Sequence, residues 1–488
     1  MDQYAAVLLS FPPEDTPPDF EDYDKAVKNH LNQVTRILKD KSADLITYGP
    51  QLLELLNPAV HSLSYLAVLH TLILPGLATS ASREYLLEKV VLFMISFDGL
   101  QIRYAGPHLQ DVFAAVGGGQ LLPPSVAVEI LATAILKLDP TGSMLTASHI
   151  LLARLAYGTN NIEPALQVID KSIVFYPGMA NRGEPQYLCD PTLPPPSYIA
   201  RETGLTAILK PQLVMEYDLL CGMMYCSRRD WAKASEAFQR IVTFPARENG
   251  VNKLMVDAYK RWVLVGLLCK GKHLDNPTPS GHTANRYYEV LGKPYTAIAA
   301  LFATDNAQAL KHEVDSNAPI WQEDNNVGLL QEVLAAYQKW QVLGLQQVYS
   351  KISIPEVRRE TKSAETGGNL PRDEDVETLI QNMIISGMLH GVVEKNDDGT
   401  SFLTFLPPAT SPSERDFAKE LARTAQRLQN LRPLLRATDE RLGTHKEYIK
   451  HVIKESKRDK TQQDYAVGHH FDDEVEDEDL MGGIVSTG

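Results

Sequence analysis

Residues 345–360 read LQQVYSKISIPEVRRE, and the fold turns on how this stretch is read. Leu345, Val348 and Tyr349 are spaced by three and four, the pattern of a helix end. Lys351, Ile352, Ser353 and Ile354 then alternate polar and apolar, which predicts a very short, half-buried strand. Pro355 suits the first turn of a new helix, where its missing N–H would have no partner anyway. Glu356 puts a negative charge on the positive end of that helix's dipole. Helix, short strand, helix is the opening of helix-turn-helix and winged-helix domains. Such a domain can read nucleic acid, carry chemistry or hold proteins together.

Downstream, residues 360–372 (ETKSAETGGNLPR) are polar and read as a flexible loop. Val376, Leu379, Ile380, Met383 and Ile384 form a helical stripe with Gly387 near its end. Residues 391–405 (GVVEKNDDGTSFLTF) read as strand, Asp398-Gly399 turn, strand. The ordered set predicts a winged helix over 325–406.

Beyond Pro407-Pro408, Ser411 to Glu414 fit a capping box with proline at the first helical position. Phe417, Leu421, Thr424, Leu428, Leu431, Leu435, Thr438 and Leu442 then alternate steps of four and three, a heptad seam that meets partner helices. Pro433 interrupts it, and an interior proline costs about 3 kcal/mol, so a kink or break is expected around Leu431-Arg432. A basic helix, HKEYIKHVIKESKRDK, completes C-terminal helices over 411–460. Residues 461–488, with FDDEVEDEDL, read as a disordered acidic tail.

Upstream, residues 1–18 are proline-rich and read as a flexible end, and 19–324 are helical almost throughout. Tyr23, Val27, Leu31, Val34 and Leu38 make one apolar stripe. Two more helices split near Asn57-Pro58 and stop at Pro75-Gly76. Many short helices without strands predict an α-solenoid, and two weak repeats fit one. Gly222, Tyr225, Ala234, Phe238 and Pro245 approach the tetratricopeptide pattern, in which small residues let antiparallel helices close up. Ala153, Ala156, Ala165, Ile169 and Pro177 fall at nearly the same offsets. Loops at 184–204 and 273–285 connect or decorate the array. The fold class is thus mostly α: an α-solenoid of TPR-like helical repeats, then a winged helix and C-terminal helices.

The 488 residues allow several domains, and 44% apolar with 22% charged residues is ordinary for a globular protein. Four cysteines without a CxxC pair argue for a reducing compartment and against structural zinc. The N-terminus lacks a basic n-region, so no signal peptide is expected, and no apolar run reaches the roughly 18 residues of a membrane span. No HExxH, P-loop, GxSxG or GxGxxG occurs, so neither a metal nor another cofactor is expected. His61, His70, His108 and His149 are isolated and read as packing residues, and Cys221 and Cys226 as small buried apolar ones. His469-His470 sit in the tail with little weight as a cation site.

Against nucleic acid stand the net charge of −14 and the start of the recognition helix, Arg372-Asp373-Glu374-Asp375, whose acids repel phosphate. Asp397 and Asp398 add to this in the wing, and Arg358 and Arg359 read as a solvated face. Protein contact is the better use of this fold.

A helical array feeding a winged helix through YSKISIPEV resembles the PCI family, shared by the proteasome lid, the COP9 signalosome and a translation initiation factor. Asp324-Asn325-Asn326-Val327-Gly328-Leu329, the 61–69 and 102–105 segments and the 217–246 hairpin look like the family's third signalosome subunits, over roughly 50–406. The resemblance implies a scaffold, not an enzyme, in a complex that removes Nedd8 from cullin-RING ubiquitin ligases. The zinc would lie in another subunit, and the first and eighth subunits would be neighbours. It implies lateral winged-helix contacts, for which we take Ile352, Ile354, Val357, Phe402 and Phe405. It also implies helix-bundle contacts through Phe417, Leu421, Leu428, Leu431, Leu435 and Leu442. No membrane and no nucleic acid are expected as partners, and the location expected is cytoplasm and nucleus. A proteasome-lid scaffold and a nucleic-acid-binding PCI protein remain the alternatives; the 324–329 segment favours the signalosome, the acidic helix start disfavours nucleic acid, and the 417–442 seam packing on its own domain is the blander use of that helix.

Overall fold

The computed structural model describes residues 2–13, 19–40, 42–73, 82–119, 121–177, 185–245, 251–274, 282–396, 399–406, 414–444, 446 and 448–454. The Pro75-Gly76 stop, most of the 273–285 loop, Asp397, Asp398, the Ser411 cap, residues 455–460 and the acidic tail with its two histidines lie outside them. Two compact units emerge, residues 1–412 and 413–488.

The first unit is built from helices stacked as antiparallel pairs. The hairpin Pro211–Ser227 and Trp231–Val242 shows why the small residues recur. A Cβ on Gly222 would lie 2.5 Å from the Phe238 ring, so only glycine admits the second helix this closely. Ala234 and Phe238 are fully buried at that crossing. Asp230 caps the second helix by accepting from the Lys233 amide. Ala153 and Ala156 of Ala147–Thr159 and Ala165 of Glu163–Ile169 are likewise fully buried. That second helix ends at Ile169, short of Pro177, so proline does not close this unit as the tetratricopeptide pattern expects.

Two segments expected to be loose are packed. Residues 2–8 form the helix Asp2–Leu8, and Leu8 and Phe11 are buried. Phe11 sits edge-on to Tyr23 and stacks on His30. The proline-rich 185–204 stretch is a strap rather than a decoration. The Arg103 guanidinium donates to the carbonyls of Leu188 (2.9 Å) and Asp190 (2.7 Å) and lies 3.7 Å over the Tyr198 ring. Cys189, Tyr198 and Ile199 of the strap are buried.

The helix Val327–Leu345 stops at Leu345, short of the Val348 and Tyr349 that the spacing assigns to its last turn; residues 346–348 form a turn and Val348 is exposed. Its first half, Leu330, Val333, Ala336 and Tyr337, belongs to the core of the array. Val342 belongs to a second core, that of the winged helix. The strand β1 (Lys351–Ser353) follows, then the helices Ile354–Glu360 and Asp373–Ile385, then β2 (Gly391–Lys395) and β3 (Ser401–Phe405). Sheet order is β1-β3-β2, both pairs antiparallel. The expected order of elements over 325–406 is present.

The 360–372 loop is anchored, contrary to expectation. The Asn369 side chain donates to the Arg359 carbonyl, and Ser363 and Gly368 pair across a turn. The buried Gln338 amide donates to Thr361, and Ala364 reaches the array core. The array and winged helix therefore share a helix and a tied-down loop.

In the second unit the helix Glu414–Thr444 runs continuously through Pro433, where a break was expected. Proline leaves the Gln429 carbonyl without its N–H partner, but on a solvent-facing helix water replaces that bond.

Candidate interaction surfaces

The segment 324–326 sets where the shared helix begins. Asp324 receives both carboxylate contacts from Lys260 Nζ, at 2.7 and 2.8 Å. The Tyr295 hydroxyl donates to Asp324 Oδ2 (2.8 Å) and accepts from the buried Asn326 amide (2.8 Å). Arg261 donates to the Asp324 carbonyl (3.2 Å), and Tyr295 stands edge-on to Trp321. Asn325 takes a left-handed φ of 54° to turn the chain into Val327. This network holds structure together. Its polar groups satisfy one another, and Lys260, Arg261, Asp324 and Asn325 also line an open pocket.

In the winged helix, period-2 alternation divides β3 into two faces. Ser401, Leu403 and Phe405 point inward, and Phe402 and Thr404 are half-buried. Of the five lateral residues expected from sequence, Ile352, Ile354, Val357 and Phe405 lie in the core. Their apolar surface is already spent inside the chain, so they support a contact face without forming it. Phe402 is the one outside that core. It pairs with Ser353 and Glu394 on its two flanking strands. Lys351 Nζ lies 5.2 Å from its ring and 3.3 Å from Glu394. Val392, opposite Thr404 on the edge strand β2, is exposed, as are Val348 and Ile385. The apolar alternates of the strands form the inner face of this sheet.

Four cations of this domain around the recognition helix and wing are engaged by acids. Arg358 pairs with Asp373 (3.2 Å), Arg359 with Glu356 (3.4 Å), Arg372 with Asp375 (2.8 Å), and Lys395 with Glu377 (3.7 Å). The recognition helix Asp373–Ile385 opens on three acids. A phosphate approaching this face would meet carboxylates first.

Along the helix Glu414–Thr444, Phe417, Leu421, Leu428, Leu431 and Leu435 are 47–62% exposed. Five large apolar residues at heptad spacing on one exposed face are an unpartnered seam. The side chain of Leu442 lies outside the described residues.

The isolated histidines have structural surroundings. The His61 ring accepts from the Asn57 amide, and His70 meets Asp111 at 2.9 Å with the His108 ring 4.4 Å away. His149 is buried and accepts from the Thr146 amide, closing a capping box. Burial pushes the Cys226 thiol up to about 12 and Cys221 higher still, so neither is a thiolate near neutrality. Among the described residues no cluster of three or more His, Cys, Asp or Glu could hold a metal, and no helix is long and apolar enough to cross a membrane.

The family model of the N-terminal helical repeats of COP9 signalosome complex subunit 3 matches residues 22–187 and 197–282. The unmatched 188–196 fall in the strap held by Arg103. A protein of Neurospora crassa named COP9 signalosome complex subunit 3 is 38% identical over 99% of both chains. One of Emericella nidulans with the same name is 29% identical over 80% of both. With the repeats matched and the identity running the full length, the chain belongs to the COP9 signalosome subunit 3 family.

Proposed function

We propose that this chain is a non-catalytic scaffold subunit of the COP9 signalosome and supports removal of Nedd8 from cullin-RING ubiquitin ligases. The observation that carries this reading is the exposed seam on Glu414–Thr444, which is built to pack with other helices and has no chemistry of its own. The winged helix supplies the second contact, through the outer sheet face around Phe402 and the β2 edge with Val392. The first and eighth subunits are its neighbours in this reading, and the cytoplasm and nucleus its location.

The test is gentle purification of the tagged chain from its own cells, with identification of what accompanies it and a cullin deneddylation assay on the eluate. Leu421→Asp/Leu428→Asp on the exposed seam should leave the melting temperature within about 1 °C, as surface changes do, and lose signalosome partners. Ile352→Asp, by contrast, buries a charge and should unfold the winged helix. Signalosome subunits and deneddylase activity with the native chain, lost with the seam variant, support the reading. Proteasome subunits, RNA, or the chain alone overturn it.

A further inference from the structure

The seam's flanks carry a second pattern. With Leu421, Leu428 and Leu435 as one heptad position and Phe417, Thr424 and Leu431 as the other, the two positions beside the seam in its C-terminal half hold Arg427, Arg432 and, by sequence, Leu434 and Arg441, against Asp439. Arg427 and Arg432 are exposed, and Arg436 is exposed one residue beyond Leu435. In the N-terminal half the same positions hold Ala418, Glu420 and Ala425. Charges at these flanking positions choose a helix's partner by complementarity. The C-terminal half of this seam therefore selects an acidic segment with apolar anchors.

This chain contains one. Residues 471–480 read FDDEVEDEDL, with seven acids from Asp472 to Asp479 around Phe471 and Val475, four residues apart. We infer that in the free subunit the acidic tail covers the C-terminal half of the seam and yields it to partner helices on assembly. The inference rests on the proposed use of the seam as an assembly surface. Chain length permits it: the described residues end at Lys454, 18 to 27 residues past Arg436 and Arg427, which is at most about 40 Å of helix, and the 17 residues before Asp472 reach about 58 Å when extended. Tethering at that distance gives an effective concentration on the order of millimolar, enough for a weak contact to be occupied. The contact is mainly electrostatic, so it weakens as salt shortens the roughly 8 Å screening length of physiological buffer. A covering that partners can displace would shield the exposed Leu428, Leu431 and Leu435 without blocking assembly.

The test uses the full chain alone, native or with Asp472→Asn, Asp473→Asn, Glu474→Gln, Glu476→Gln, Asp477→Asn, Glu478→Gln and Asp479→Asn. A fluorescent peptide of residues 468–483 is titrated into each, with helicity checked by circular dichroism. The inference expects the neutralised-tail chain to bind the peptide at least tenfold more tightly than the native chain, whose own tail competes. Arg427→Glu/Arg432→Glu/Arg436→Glu added to the neutralised chain should abolish that binding. Equal binding by native and neutralised chains, or none by either, overturns the inference. So does concentration-dependent self-association through the seam in both chains, which makes a second copy the occupant. Co-purification is read separately, so signalosome assembly without tail docking refutes this inference and leaves the scaffold reading standing.

Discussion

Removing the Lys260 ammonium while keeping its stem, as in Lys260→Met, tests whether the 324–326 turn depends on the ion pair beneath it. Both side chains of the pair are 15% exposed. Breaking a fully buried pair costs about 3–5 kcal/mol, because the remaining charge stays buried without its partner. Here some water reaches Asp324, and Tyr295 and the Arg261 contact to its backbone remain. We therefore expect about 2–3 kcal/mol. Unfolding entropy is about 2.1 cal/mol/K per residue near 60 °C, so the 412-residue unit carries about 0.9 kcal/mol/K. The melting temperature should fall by about 2–4 °C in calorimetry at a fixed scan rate. Asp324→Asn should cost a similar amount, and the double variant should cost about 1–2 kcal/mol less than the sum, since neither charge is then left alone. Amide exchange at Val327 to Leu330 should also rise, because the turn positions the first turn of the shared helix. A shift below 1 °C for Lys260→Met, or strict additivity in the double variant, would refute the reasoning.

Two further outcomes follow from buried groups. Gly271 has φ 67°, and a Cβ there would lie 2.4 Å from the Trp340 ring of the shared helix, so Gly271→Ala combines left-handed strain with a clash and should lower the melting temperature by at least 2 °C. An unchanged midpoint would mean that Trp340 moves aside without cost. Burial holds the rings of His30 and His149 neutral down to about 4, against an ordinary 6.5. Folded-state values lowered in this way give stability that is complete above pH 6.5 and is lost as the pH falls toward 4, where the unfolded chain binds protons that the folded chain refuses. For the two rings together this is on the order of 5 kcal/mol by pH 4.5. Proton uptake on unfolding at pH 5.5 should therefore drop by nearly two in the His30→Asn/His149→Asn variant, and an unchanged uptake would place the acid sensitivity elsewhere.

Much of the fold was legible because its periodicities change at the right places. The stretch 345–360 moves from a 3.6-residue period to alternation and back at Pro355, and the structure ends one helix at Leu345, sooner than the period suggests, then has the strand Lys351–Ser353 and the helix Ile354–Glu360. What local patterns could not show was set by distant partners. The 185–204 strap looked like a proline-rich loop because its anchor, Arg103, lies more than 80 residues away. The 324–329 segment was recognisable by resemblance, yet its role depends on Lys260, Arg261 and Tyr295, which no window around it contains. The burial of the lateral residues has a different reason. Apolar residues alternating on a strand mark the inner face far more strongly than the outer one, and Ile352 and Phe405 were already committed to the core.

The shared helix gives the scaffold reading mechanical content. A subunit that sets the position of neighbours must transmit geometry from its array to its winged helix, and a flexible linker between them would lose it. Here Val327–Leu345 is a member of both cores, with Tyr337 packed in one and Val342 in the other, only five residues apart in sequence. Rotating the winged helix would require either bending this helix within one turn and a half or withdrawing one of those side chains from its core. The anchored 360–372 loop opposes the same motion from the other side, through Gln338 to Thr361 and the Gln341 side chain accepting from the Lys362 amide at 2.8 Å. On the scaffold reading, core substitutions in the array should for this reason alter which proteins co-purify with the chain, because they would tilt the winged helix proposed as a contact face.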